Sequence, residues 1–249
     1  MKIAEIKEAL NNCPSAEFLE QLTHDERSGV QKLLAAYYKK QKAEAAEYER
    51  FNKMLLYEKQ CYEQGMQYVA GVDEAGRGPL AGPMVIGAVI LPQNVFIKGL
   101  NDSKKLSEKK RELLYDEIYE KAVAIGIGMS SEEVIDEINI LQATYEAMRQ
   151  AISKLSVQPQ LFLNDAVTIP EVQIPQVPII KGDAKSVSIA AASIVAKVTR
   201  DRMMEEYDKV LPEYGFASNK GYGSAAHIEA LKKYGPSPIH RKTFITHFV

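Results

Sequence analysis

Tyr68-Val69-Ala70-Gly71-Val72-Asp73-Glu74-Ala75-Gly76-Arg77-Gly78-Pro79-Leu80-Ala81-Gly82-Pro83 decides how the rest of the chain is read. It opens as a short apolar run, the pattern of a buried strand. It then sets two carboxylates side by side and breaks into a loop, with four glycines and two prolines between Gly71 and Pro83. A second apolar run, Met84 to Leu91, follows. Adjacent carboxylates repel each other and resist burial unless something positive lies between them. A divalent cation neutralises such a pair. Gly76-Arg77-Gly78 offers open backbone N–H groups and one guanidinium, the makings of a phosphate cradle. The alternative is a surface hairpin whose acids face water; the apolar residues on both sides argue for burial.

Working outward, 249 residues at 46% hydrophobic can bury one sizeable core with a small appended domain. The net charge of -2 argues against crude polycation binding, yet it is unevenly spread. From Lys181 onward there are 11 Lys and Arg against 7 Asp and Glu, and before it 20 against 26. A basic final third suits a polyanion held on one face. Cys13 and Cys61 lie far from each other and from any histidine cluster, which points to a reducing compartment and away from a zinc site. No apolar run reaches membrane-spanning length and the N-terminus lacks a signal-peptide core, so a soluble cytoplasmic protein is expected.

Residues 1–65 read as a helical extension and residues 66–249 as the main domain. Ile3, Ile6 and Leu10 share a helix face; Ser15 is a plausible N-cap for the segment carrying Phe18, Leu19 and Leu22. One long stretch rich in Ala, Glu, Lys and Gln runs from about Asp25 to Gln64, with Gly65 as its stop. This extension is either an accessory arm or a module for a partner or nucleic acid. The period then changes to strand from Tyr68 to Ile90, and Phe96 and Ile97 are candidates to continue the sheet. Ser107 caps a helix through about Lys121, Ala122 to Met129 reads as a strand, and Ser130 or Ser131 starts a helix, or a pair of helices, to about Leu155. Short apolar strands end at Asn164-Asp165 and at Lys181-Gly182-Asp183. Ser186 to Val198 is small and apolar on every face, the mark of a buried helix. The order fits a mixed α/β sheet covered by helices.

Asp73-Glu74, Asp165 and Asp183 thus all follow apolar strands, and ligands of open sheets gather where strand ends meet a crevice. Four carboxylates with no nearby His or Cys describe an all-oxygen site that selects Mg2+ or Mn2+ over zinc. Two-metal phosphodiester hydrolysis needs such a site. Lys185 and Ser186 follow Asp183, Lys197 and Arg200 lie further along the buried helix, and Lys104 sits in a polar loop after the early strands. All suit polyanion binding; Arg200 could also simply pair with Asp201 or Glu205. Tyr222, flanked by Gly221 and Gly223, is poorly shielded and can either stack on a sugar or base or pack as a turn residue. His227, His240 and His247 show no ligand spacing and read as surface or capping residues.

Gly71-Val72-Asp73-Glu74-Ala75-Gly76-Arg77-Gly78-Pro79 with Gly82-Pro83 resembles the opening motif of bacterial ribonuclease HII. Further matches follow in order: Asp102-Ser103-Lys104, Asn139-Ile140-Leu141-Gln142-Ala143, Asp165, Gly182-Asp183 with Lys185-Ser186, Ala192 to Lys197, and Gly221-Tyr222-Gly223. The resemblance covers roughly residues 66 to 240; ribonuclease HIII fits less well, because its glycine loop usually lacks this Gly-Arg-Gly. It implies an RNase H-like mixed five-stranded sheet flanked by helices, with an N-terminal helical extension and C-terminal helices. It also implies an endonuclease that cuts RNA in RNA–DNA hybrids and at single ribonucleotides in duplex DNA, leaving 5′-phosphate and 3′-hydroxyl ends; a monomer is expected. The biological setting implied is ribonucleotide removal in replication and repair. By the same resemblance Asp73, Glu74, Asp165 and Asp183 hold two Mg2+ or Mn2+ ions. Gly76, Arg77 and Gly78 read the ribose 2′-OH, and Tyr222 stacks on the following deoxyribose. Residues 1–65, which many members lack, fall outside it.

Three rivals stay open on sequence alone, one of them a helical adaptor built on residues 1–65 with the nuclease as passenger. Another acid-cluster nuclease of the same fold, such as a DNA resolvase, would cleave without a 2′-OH. A hybrid-binding protein would keep the pocket without turnover, which the presence of all four acids disfavours.

Overall fold

The computed structural model describes residues 1–248. The chain divides into two compact units, Met1–Asn52 and the remainder from Lys53. In the first unit, α1 (Ile3–Asn11), α2 (Ala16–Thr23) and the start of α3 (Ser28–Met54) bury Ile6, Leu10, Leu22, Val30 and Leu34 against one another. Ser15 caps α2 by accepting from the Phe18 N–H at 3.1 Å.

The expected single helix to Gln64 is interrupted at Leu55, and α4 (Leu56–Glu63) starts afresh. The break lets α4 deliver Glu58 onto the N-terminus of the buried helix near residue 187, where the Glu58 carboxylate accepts from Ser186 Oγ.

The second unit is built on β1 (Val69–Ala75), β2 (Met84–Ile90), α5 (Glu108–Lys121), β3 (Ala124–Ser130), α6 (Glu132–Ser153), β4 (Leu161–Asp165), β5 (Gln176–Ile179) and α7 (Val187–Val210). Three short helices, α8 (Phe216–Asn219), α9 (Ala225–Tyr234) and α10 (Lys242–Ile245), complete it. The sheet order is β3-β2-β1-β4-β5: β1, β2 and β3 run antiparallel, whereas β4 and β5 run parallel to β1 and to each other. This is the expected mixed five-stranded sheet. Phe96 and Ile97 do not extend it. Ile97 is fully buried in a turn closed by the Leu100 N–H on its carbonyl, so its apolar side chain anchors a loop.

Strand alternation sorts the two sheet faces. Ala70 and Val72 of β1, with Met84, Ile86, Ala88 and Ile90 of β2, pack with Ala143, Ala147, Met148 and Ala151 of α6. The alternate positions meet α7. A Cβ at Gly71 would fall 2.0 Å from the Ser188 carbonyl carbon, so only glycine lets β1 and α7 come this close. Asp73, two residues on, shares that face. Asn139 splits α6 into two helices at φ 66, and its Oδ1 caps the second half by accepting from the Leu141 and Gln142 N–H groups. No helix among the described residues is long and apolar enough to cross a membrane. Cys13 is exposed, Cys61 is buried, and both are free thiols.

Candidate active site

β1 carries Asp73 and Glu74, β4 ends on Asp165, and Asp183 lies in the 3-10 turn Gly182–Ala184 between β5 and α7. Because β1 and β4 are neighbours, their ends bring these acids to one edge of the sheet. Asp73 is 5% exposed; its Oδ1 accepts the Glu74 N–H at 2.8 Å, and the Ser193 side chain of α7 favours its charged form. Ser193 Oγ in turn lies 2.9 Å from Ser103 Oγ, tying in the Asp102-Ser103-Lys104 turn. Asp165 Oδ1 accepts the Gly182 N–H at 2.7 Å, which fixes the turn bearing Asp183.

Burial, then repulsion from Glu74 and Asp165, drives the Asp73 carboxyl well above the usual carboxylate range. Burial also raises Glu74, and Asp165 adds to the shift although Arg77 and Lys104 oppose it. Asp183 is raised by burial first, then by the charges of Asp102 and Asp165, with Lys104 opposing. Lys104 keeps its charge more firmly than usual: burial opposes it, but Asp73, Asp183, Asp102 and Asp165 together prevail. The four predicted acids therefore share one electrostatic field. They do not close into a cage: among the described residues, no three His, Cys, Asp or Glu side chains gather into a metal-holding group. The residues nonetheless fit a hard cation. Their donors are all oxygen, and Glu74 Oε2 is buried without a hydrogen-bond partner.

Beside the acids opens a cavity of about 190 Å³ lined by Glu74, Ala75, Gly76, Arg77, Gly78, Ser103, Lys104, Lys197 and Tyr222. Six of the eight predicted substrate-side residues, Gly76, Arg77, Gly78, Lys104, Lys197 and Tyr222, line this one cavity; Lys185 and Ser186 do not. Arg77 stands 3.8 Å from Glu74. Lys197 binds Asp201 at 2.6 Å, and its Nζ lies 5.9 Å from the centre of the Tyr222 ring, which is 45% exposed. Lys185 is exposed. Ser186 is fully buried and its hydroxyl is committed to Glu58 and, as the cap of α7, to the Ile189 N–H, so it offers nothing to a ligand.

Two expectations are corrected here. Arg200 pairs with neither Asp201 nor Glu205. It is fully buried and donates to the carbonyls of Pro83, Lys220 and Ala81 at 2.8, 2.8 and 3.0 Å. His227 and His240 are not surface residues but a buried pair, whereas His247 is exposed. His227 Nδ1 lies 2.8 Å from the Tyr222 carbonyl oxygen. Sequence reading also passed over Arg241, fully buried and bonded to the carbonyls of Gly76, Arg77 and Gly82. The one signal available was the Ile239-His240-Arg241 run near the chain end, which carries no spacing of its own.

The ribonuclease HII family model matches residues 70–247, and that of the ribonuclease HII N-terminal domain matches residues 2–62. Ribonuclease HII of Lachnoclostridium phytofermentans is 61% identical over 248 residues, covering 98% of this chain and 97% of the relative. Among solved structures, ribonuclease H2 of Pyrococcus horikoshii superposes with a TM-score of 0.60 at 33% identity, covering 71% of this chain and 93% of its own. Ribonuclease HII of Archaeoglobus fulgidus, solved in complex with PCNA, gives 0.61 at 28% identity and covers 72% and 96%. With its mixed sheet, its acids at one sheet edge and this breadth of similarity, the chain belongs to the ribonuclease HII family and is a type HII ribonuclease H.

Proposed function

We propose that this protein hydrolyses the RNA strand of RNA–DNA hybrids and incises on the 5′ side of single ribonucleotides in duplex DNA, leaving 5′-phosphate and 3′-hydroxyl ends. In this reading it acts as a cytoplasmic monomer in ribonucleotide removal during replication and repair. Residues 66–249 carry the chemistry and residues 1–65 form an accessory extension. The observation that carries the reading is the shared cavity, where Glu74, the Gly76-Arg77-Gly78 loop, Lys104, Lys197 and Tyr222 face one space.

Asp73, Glu74, Asp165 and Asp183 would hold two Mg2+ or Mn2+ ions. The chemistry such ions would supply there is activation of water and neutralisation of the leaving 3′ oxygen. The remaining work falls to the chain. Arg77 and Lys104 neutralise the phosphate beside the acids, and Lys197 extends the positive wall. Gly76, Arg77 and Gly78 meet the ribose through backbone groups, since the 2′-OH alone separates RNA from DNA at that position. The exposed face of Tyr222 offers a flat surface for the next sugar.

Cleavage of a DNA duplex carrying one ribonucleotide, with Mg2+ or Mn2+, is the direct test. A single nick 5′ of the ribonucleotide, with an intact all-DNA control, is the expected result. Cutting of the control would favour a resolvase-like activity instead. Cutting of long hybrids without a nick at the single ribonucleotide would overturn the roles given to the loop and Tyr222.

A further inference from the structure

We propose that Arg241 is the positioning residue of the Gly76–Gly82 loop: one buried guanidinium draws the loop's carbonyls inward and so turns its N–H groups toward the strand being read. The inference rests on the reading above, in which Gly76, Arg77 and Gly78 contact the ribose.

Arg241 Nη2 donates to the Gly76 carbonyl at 2.6 Å and to the Gly82 carbonyl at 2.7 Å. Its Nε reaches Gly82 O at 3.0 Å and its Nη1 reaches Arg77 O at 3.1 Å. The main chain adds a second grip: the Arg241 N–H donates to Leu80 O, and the Gly82 N–H to Ile239 O. The guanidinium also lies over the Phe244 ring, 5.3 Å from its centre. Burial, followed by the nearby charge of Arg200, pushes Arg241 down to about 9, so it stays cationic at neutral pH. A fully buried cation is costly unless its donors are satisfied, and these donors are satisfied by loop carbonyls.

The consequence follows from peptide geometry. In a trans peptide the C=O and the next residue's N–H point in opposite directions. Holding Gly76 O and Arg77 O on Arg241 therefore turns the N–H groups of Arg77 and Gly78 away from it. Those two N–H groups have no protein acceptor among the described residues, and both residues line the cavity. The planar fork of arginine reaches three carbonyls at once, which a lysine ammonium on its flexible stem cannot reproduce.

The test is binding by full-length wild type and Arg241→Lys, in metal-free buffer, to a labelled RNA–DNA hybrid and to an all-DNA duplex of the same sequence. The variant is expected to lose about tenfold of the preference for hybrid, or about 1.4 kcal/mol. Its affinity for the all-DNA duplex and the salt dependence of that affinity should stay unchanged, because the lysines that meet phosphate are untouched. An unchanged preference, or an equal loss on both duplexes, overturns the proposal. Absence of any preference in the wild type overturns it too, with the loop reading itself at fault. Hydrogen exchange on the unmodified protein serves if the variant does not fold. Slow exchange at Leu80, Ala81 and Gly82 in the free protein supports a preset loop; fast exchange that slows only with hybrid bound overturns it.

Discussion

His227 Nε2 and His240 Nε2 stand 3.0 Å apart, with both rings buried. One nitrogen must donate and the other accept. The Ser237 N–H donates to His240 Nδ1 at 2.9 Å, which places the His240 proton on Nε2. His227 then accepts at Nε2 and donates from Nδ1 to the Tyr222 carbonyl. The chain of bonds closes only while both rings are neutral, and it ends on the residue proposed to meet the substrate sugar.

That arrangement gives a pH dependence. Burial, then the neighbouring His227, pushes His240 down to about 4 from an ordinary 6.5, and burial lowers His227 as well. A folded value below the unfolded one means the unfolded chain takes up protons first. The contribution is complete above about pH 6.5 and is lost as pH falls toward 4, amounting to no more than about 3 kcal/mol for His240. Thermal melts from pH 7 to 4.5 should therefore fall more steeply for wild type than for His240→Gln. Parallel curves would show that the pair does not titrate on unfolding.

Asp73 sets function against stability. Its buried charge is disfavoured by burial and by Glu74 and Asp165. Asp73→Asn should lower cleavage by more than the roughly 10–100-fold that loss of an outer partner of a metal site costs. In metal-free buffer the same variant should melt higher, by about 2–4 °C for each kcal/mol relieved. Mg2+ should raise the wild-type melting temperature and leave the variant's nearly unmoved. A variant that melts lower than wild type without metal would show that the support the charged form draws from Ser193 and the Glu74 N–H outweighs the repulsion.

What was legible in the sequence was local. Ser15, Ser107, Ser131 and Ser224 cap helices through N–H groups three residues away, and the sequence shows serine at each start. The acids of β1 and β4 were legible because each follows an apolar run. Arg200, Arg241 and the His227–His240 pair were not. Arg200 reaches Pro83 and Arg241 reaches Gly76, 117 and 165 positions away, and their partners there are carbonyls, which every residue carries and none advertises. Arg200 therefore looked like a helix-surface charge with acids conveniently close. Ser186 was misplaced for a related reason: its partner Glu58 lies 128 positions upstream, in a helix assigned to the extension.

Gly76 and Gly78 should respond differently to the same substitution. A Cβ on Gly76, which sits at φ +91, would lie 2.1 Å from Arg200 Nε, whereas one on Gly78 meets nothing within 4 Å. Gly76→Ala should lower the melting temperature together with activity. Gly78→Ala should fold like wild type, so any loss of cleavage must come from a methyl group standing where the strand approaches. Wild-type activity in Gly78→Ala would remove Gly78 from the contact surface.

Glu58 is the clearest test of how α4 serves the catalytic unit. Its Oε1 accepts from Ser186 Oγ at 2.5 Å and from the Ser188 N–H at 3.0 Å, while Oε2 is buried without a partner. Burial raises its carboxyl above the ordinary 4.5, with the bonds from Ser186 and Ser188 opposing. A raised folded value means the contribution to stability is greatest below about pH 4.5 and declines as pH rises through the folded value. Glu58→Ala strands two donors at the start of α7, three residues beyond Asp183, and should cost roughly 1–3 kcal/mol for each. Glu58→Gln keeps the accepting oxygen and discards the charge, so it should melt close to wild type and gain on it as pH rises. If Gln proves as damaging as Ala at neutral pH, the charge itself is what holds α7; if Ala melts like wild type, the contact is incidental and α4 does not support the turn that bears Asp183.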